Sequence, residues 1–182
     1  MTDMLEAPRG ARRLTDDDDF AALTELIHLA YAPLAAKGLN YWGSRQTVDD
    51  TRHRWARGET WVAVQDGAYV ATVTLYAPGT GHGGGWYAQP DVAKFGQLCV
   101  HPRLQGTGLG ARMLDLVEDR ARALGAAHLA CDTSEEATAL IALYTRRGYV
   151  FVQHMDFRPR VNYRSVLLSL DLRDSSARSD HA

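Results

Sequence analysis

The sequence predicts an α/β domain with elements in the order βααββ, loop, βαβα, ββ, and three observations carry that reading. Apolar residues recur at helical spacing in Phe20, Leu23, Leu26, Ile27 and Ala30, and again in Met113, Leu116, Val117, Ala121 and Leu124. Two apolar strand-like runs, Trp61–Val64 and Tyr69–Leu75, flank Asp66-Gly67, a dipeptide that favours a two-residue hairpin turn. A glycine-rich turn, Gln105-Gly106-Thr107-Gly108-Leu109-Gly110, separates the short apolar strand Leu98-Cys99-Val100 from a long amphipathic helix.

From the N-terminus, Arg12–Thr15 reads as a short strand, and Thr15 or one of Asp16–Asp19 caps the first helix, whose positive end suits the acidic run. Consecutive aspartates at a helix start do not converge on one ion, so no metal site is expected there. After the aromatic segment Tyr31–Gly43, a second helix spans about Val48–Arg57 and ends at Gly58. The hairpin follows, then a long glycine-rich loop from Pro78 to Asp91. Within that loop Gly79-x-Gly81-x-x-Gly84 matches a dinucleotide fingerprint literally, but no helix is expected after it and Pro90 intervenes. Ala127–Cys131 reads as a buried strand, about Glu135–Arg147 as a helix stopped by Gly148, and Tyr149–Val152 and Tyr163–Leu170 as closing strands. Residues 1–9 and 174–182 are polar and aperiodic, which predicts frayed tails around one domain over 10–173.

At 182 residues and 46% hydrophobic content the chain can bury a sizeable core. Twenty basic residues against 22 acidic, net charge -2, leave no basic excess for nucleic acid. No leader-like or membrane-spanning run is present, so a cytoplasmic protein without membrane or nucleic-acid partners is expected, as monomer or homodimer. Cys99 and Cys131 lie inside apolar runs without zinc spacing, which predicts buried reduced thiols.

The glycine turn carries the chemistry. At a helix start it leaves several backbone N–H groups without intrahelical partners, pointing together at the positive end of the helix dipole. Such a place holds a phosphate or pyrophosphate, and glycines let the ligand touch the backbone. A Walker loop would need Gly-Lys-Ser/Thr, which is absent, and a strict Gly-x-Gly-x-x-Gly fails at Ala111. The pattern Gln105-x-x-Gly108-x-Gly110 after a strand and Val-x-Pro resembles motif A of the GNAT superfamily of N-acetyltransferases. Leu143-Tyr144-Thr145-Arg146-Arg147-Gly148-Tyr149 is similar to the ending of that family's motif B. The asparagine that often opens the motif B helix is absent, Ala137 standing in its place.

The resemblance implies a mixed sheet of about seven strands with helices on both faces and splayed middle strands. It implies acetyl-CoA as cosubstrate, with no metal, held by Leu98, Cys99 and Val100 along the pantetheine and by Gln105, Gly106, Thr107, Gly108, Leu109 and Gly110 at the pyrophosphate. It also implies acetyl transfer to a primary amine of a small molecule or a peptide N-terminus. Tyr144 is the candidate general acid for the leaving thiolate; its alternative is a core aromatic continuing the stripe Ala137, Leu140, Ile141. Asp132 is the candidate base, where related N-terminal acetyltransferases carry a glutamate; its alternative is a strand-end cap for the next helix. His101 is a weaker candidate, and Gln97, where some relatives place a carboxylate, cannot take a proton. Tyr41, Trp42, Trp86 and Tyr163 are candidate acceptor contacts, or aromatic pins for their own loops. The competing function is a coenzyme A-binding sensor or interaction module that has lost catalysis.

Overall fold

In the computed structural model, which describes residues 10–81 and 84–173, the chain runs through β1 (Arg12–Arg13), α1 (Phe20–Ala35), α2 (Val48–Arg57), β2 (Glu59–Gln65), β3 (Ala68–Tyr76), β4 (Val92–Val100), α3 (Leu109–Ala123), β5 (His128–Ser134), α4 (Thr138–Arg146), β6 (Val150–Asp156) and β7 (Arg164–Asp171). The expected frayed tails lie outside the described residues. The strands form a mixed seven-stranded sheet in the order β1-β2-β3-β4-β5-β7-β6. Strands β1 and β2, β2 and β3, β5 and β7, and β6 and β7 pair antiparallel, whereas β4 and β5 run parallel. That parallel ladder holds only Val92↔His128, Ala93↔Leu129 and Lys94↔Ala130, although β4 continues to Val100. This is the splay that the resemblance implies. The chain folds as two compact units, one built from residues up to Leu75 with Gln97–Val117, the other from Tyr76–Gly96 with the residues from Glu118 on.

In the first unit Leu14, Phe20, Leu23, Leu26, Ile27, Val62 and Cys99 form a buried cluster, closed by Trp55 edge-on to Phe20 at 5.4 Å. The acidic run divides its work. Asp19 caps α1, accepting from the Ala22 amide at 3.0 Å, while Asp18 accepts from Arg12, from the Thr15 amide and from the Tyr69 hydroxyl. Arg12 above all holds the Asp18 carboxyl far below the ordinary carboxylate range. Helix α2 opens with a full capping box of Thr47 and Asp50. The hairpin turn has both Asp66 and Gly67 at positive φ, as a two-residue turn of this kind demands.

Several bounds differ from the sequence reading. Strand β4 begins at Val92, where only Leu98–Val100 was legible, because Lys94, Gly96 and Gln97 interrupt its apolar run. Gln97 stands at φ +52, a left-handed residue within a strand. On α3 the core face takes Leu114, fully buried, while Leu116 is only half-buried. Strand β5 runs on to Ser134, and α4 starts at Thr138 because the Glu135 amide bonds the Arg164 carbonyl (3.0 Å) instead of entering the helix.

The second unit buries Tyr87, Val92, Ala130, Met155 and Leu167 together. Among the described residues of its glycine loop, Gly85–Ala88 form a 3₁₀ turn, where a dinucleotide fingerprint requires an α-helix. Gly81 serves packing: a Cβ there would collide with the Tyr87 carbonyl.

Both cysteines are free and buried, and burial pushes the Cys99 thiol up to about 12 and the Cys131 thiol well above its ordinary value. Only the thiolate reacts, so both should label with an aromatic disulfide reagent at least about 100-fold more slowly in native protein than in denaturant. Fast labelling of both in the native state contradicts the packing of β4 and β5.

Candidate active site

The glycine turn is built from both sides. Val100 ends β4, His101 accepts from the Arg103 amide on Nδ1 (3.2 Å), and Pro102–Leu104 make one 3₁₀ turn. Buried Leu104 and Leu109 anchor the ends, while residues 105–108 between them are exposed. Gly106 and Gly108 have φ near +80 and +83, which glycine alone adopts without strain. The Gln105 side chain donates to the Val100 carbonyl (3.2 Å) and the Thr107 hydroxyl to the Leu104 carbonyl (2.7 Å), so both hold the shape of the turn. The Arg112 amide bonds the Gly108 carbonyl at 3.1 Å, which leaves the amides of Leu109, Gly110 and Ala111 ahead of that bond at the open end of α3. A Cβ at Gly106 would meet nothing within 4 Å, and one at Gly108 would stand 3.4 Å from Arg112 Nη1. An exposed backbone turn, a helix N-terminus and an adjacent guanidinium suit a pyrophosphate. The nearness of Arg112 to Gly108 appears only in three dimensions.

On β4, Leu98 and Val100 are half-buried while the Cys99 side chain belongs to the core cluster, so only the Cys99 backbone can face a ligand. Gln97 is buried and donates to Gln46 Oε1; Gln46 Nε2 donates to the Thr51 hydroxyl (2.7 Å), which pairs with the Thr24 hydroxyl (2.7 Å). This polar chain had no sequence signal, since its members are scattered over four segments. Of the aromatic candidates in this unit, Tyr41 is buried against Tyr31 at 5.3 Å. Trp42 is exposed and carries the Arg45 guanidinium over its ring at 4.9 Å.

In the second unit Tyr144 is buried on α4, edge-on to Phe95 at 5.8 Å and tilted against Tyr149 at 5.7 Å. Asp132 is no helix cap: it lies within β5, and α4 starts after Ala137 with no side-chain cap. Instead Tyr87 donates its hydroxyl to Asp132 Oδ1 at 2.7 Å and Lys94 Nζ approaches the same oxygen at 3.2 Å, itself 4.2 Å from the centre of the Tyr87 ring. Burial first, then the Asp132 charge, push the Tyr87 phenol well above its ordinary value, so it stays a donor. Lys94 escaped the sequence reading because its nearness to Asp132 depends on the β4–β5 register. Trp86 donates its indole N–H to Ser169 (3.1 Å) and packs edge-on to His128 at 5.2 Å, fastening the loop to the sheet. Tyr163, just ahead of β7, is buried.

Among the described residues no group of three or more His, Cys, Asp or Glu side chains is gathered as a metal site, and no helix is long and apolar enough to cross a membrane. A mixed sheet whose parallel pair separates early, with an exposed glycine turn heading the following helix, is the frame of an enzyme that transfers acyl groups from acetyl-CoA. The profile of the Acetyltransferase (GNAT) family matches residues 22–149, and the chain belongs to that family. Over 140 residues it is 28% identical to the S-(2-succino)cysteine N-acetyltransferase of Bacillus subtilis (strain 168), a match covering 76% of this chain and 82% of that protein. Among solved structures, the yncA protein of Salmonella typhimurium with acetyl-CoA has a TM-score of 0.65 at 23% identity, covering 95% of this chain and 98% of that one. The ribosomal-protein-S18-alanine N-acetyltransferase of Escherichia coli has a TM-score of 0.68 at 17% identity, covering 90% and 93%.

Proposed function

We propose that this enzyme transfers the acetyl group of acetyl-CoA to a primary amine by direct attack in a ternary complex, and that the amine is an amino acid carrying further carboxylate, such as an S-substituted cysteine. The relative from Bacillus subtilis, named for S-(2-succino)cysteine, is the observation that carries the acceptor class. Arg45 supports it: with a guanidinium already over its ring, Trp42 is suited to presenting a cation to an anionic acceptor rather than stacking on a cationic one. Tyr41, Trp42, Trp86 and Tyr163 remain the candidate acceptor contacts, with Trp86 and Tyr41 contributing mainly by fixing their loops.

Acetyl-CoA supplies a thioester whose carbonyl is open to attack and whose thiolate leaves. The Leu109–Ala111 amides and Arg112 bind the pyrophosphate at the turn, and the backbone of Leu98–Val100, beyond the end of the β4–β5 ladder, pairs with the pantetheine. Asp132 takes a proton from the acceptor ammonium. Both its contacts fall on Oδ1, which leaves Oδ2 as the edge that receives the proton. The neutral amine then forms the N–C bond at the thioester carbonyl as the C–S bond breaks; Tyr144 gives its phenolic proton to the departing thiolate and recovers one, by way of solvent, from the nitrogen, which sheds its second proton as the amide forms. A phenol with an ordinary pKa near 10 is protonated at neutral pH and can donate to a thiolate of pKa near 8.5.

The acceptor class is tested by rates of CoA release with S-(2-succino)cysteine, with the matching S-substituted cysteamine lacking the α-carboxylate, and with a tripeptide beginning in alanine. The first should exceed both others in kcat/KM by at least about 10-fold, the worth of one charge-assisted hydrogen bond to the substrate carboxylate. A faster peptide overturns the small-acceptor assignment.

A further inference from the structure

Glu118 was not singled out by its sequence context, and no step above uses it. It lies on α3 within the second unit, about nine-tenths buried. A buried carboxylate needs partners, and it has three bonds from two residues just beyond α4. Arg147 donates to it in a two-pronged fork, Nε to Oε1 at 3.0 Å and Nη2 to Oε2 at 2.9 Å, and the Tyr149 hydroxyl adds a bond to Oε1 at 3.3 Å. The same two residues hold Tyr144. The Arg147 amide donates to the Tyr144 carbonyl at 3.0 Å and the Tyr149 amide to that carbonyl at 3.1 Å. The rings of Tyr149 and Tyr144 are 5.7 Å apart, and Phe95 packs edge-on against both, at 5.8 Å from Tyr144 and 6.0 Å from Tyr149. Both residues that bond the Tyr144 carbonyl from the C-terminal side of α4 are thus held by one carboxylate.

We infer that Glu118 is a positioning residue for Tyr144: through the Arg147 fork and the Tyr149 hydroxyl it fixes the α4 end and so the direction of the Tyr144 phenol. The inference rests on the proposed acid role of Tyr144. Replacing a buried ion pair by apolar side chains of similar size is often neutral or stabilising, so stability alone gives Glu118 and Arg147 no reason to be charged. Geometry does. An acid must reach the leaving sulfur within hydrogen-bond distance, and small misplacements from residues outside the chemistry can cost up to about 10²-fold in rate.

The test uses Glu118→Gln and, because that variant leaves the half-buried Arg147 against a neutral amide, a second variant, Glu118→Met with Arg147→Met, that removes the pair without stranding a charge. Rates are measured as CoA release with S-(2-succino)cysteine or, if that amine gives no turnover, as slow hydrolysis of acetyl-CoA, in which the same thiolate leaves. Each variant should lower kcat about 3–30-fold with KM for acetyl-CoA within about twofold of wild type. In a Tyr144→Phe background the same changes should cost no further kcat, because there is no phenol left to aim. Amide exchange at 144–149 should quicken in each variant. A kcat loss that repeats in full on top of Tyr144→Phe overturns the inference, as does unchanged kcat in both variants while Tyr144→Phe alone is slow. Equal kcat for wild type and Tyr144→Phe removes the acid assignment itself and the inference with it.

Discussion

Gly108→Asp is expected to lose acetyl-CoA binding in calorimetry while its circular dichroism spectrum stays that of the wild type. Wild-type affinity should be micromolar, about -7 to -8 kcal/mol. Gly108 adopts φ +83, so any side chain there adds backbone strain, about 1 kcal/mol and least for Asn and Asp. Its Cβ would stand 3.4 Å from Arg112 Nη1, the flexible end of an exposed side chain, which can give way. Folding therefore survives. Binding does not, because the new carboxylate takes the Arg112 guanidinium and sets a negative charge against the pyrophosphate. Two like charges about 4 Å apart repel by about 4 kcal/mol near a protein surface, enough to weaken a micromolar ligand by roughly 10³. Gly108→Asn adds the same bulk without the charge and should lie between wild type and Gly108→Asp. Unchanged affinity in Gly108→Asp removes the pyrophosphate from this turn.

Tyr144→Phe is expected to keep acetyl-CoA affinity nearly intact and to lower kcat by about 10–10³, the range for loss of a general acid. Only a hydroxyl is removed. The ring keeps its packing on Phe95 and Tyr149, so the core volume is unchanged. Were Tyr144 only a packed aromatic, the variant would shift stability by about 1 kcal/mol and leave kcat alone. Steady-state rates with a true acceptor and a denaturant curve on the same preparation separate the two. Equal kcat would pass the proton to water or to another donor.

What the sequence revealed about this fold follows the range of the signals. The α2 helix, about Val48 to Arg57, is legible because its terminal Gly58 is a local signal; the structure adds the Thr47–Asp50 capping box at its start. Asp66-Gly67 fixed the hairpin for the same reason, both residues taking positive φ. The glycine turn was legible as backbone chemistry, since glycine spacing at a helix start is itself a local pattern. Long-range pairing was not. Only the β4–β5 register brings Lys94 to Asp132, so a residue read as a strand-end cap or base proved to be held by a lysine and a buried tyrosine. The strand β4 was read short because Lys94 and Gln97 look polar in isolation, yet Gln97 is buried with Gln46 as its partner. The aromatic segments carry two readings in the sequence, acceptor contact or loop pin, because a ring's partners lie far along the chain: Trp86 bonds Ser169, while Trp42 is exposed with Arg45 over it.

The most direct test of the whole account is to incubate the wild-type protein with acetyl-CoA and S-(2-succino)cysteine and follow both products, free CoA by its thiol and the acceptor by mass spectrometry. One acetyl group should appear on the acceptor nitrogen for each CoA released, with neither product above background when Gly108→Asp replaces wild type. Acetyl-CoA that binds tightly to the wild-type protein but yields no N-acetylated product from this acceptor, from other small primary amines or from peptide N-termini would contradict it, and would make the chain a coenzyme A-binding module without catalysis.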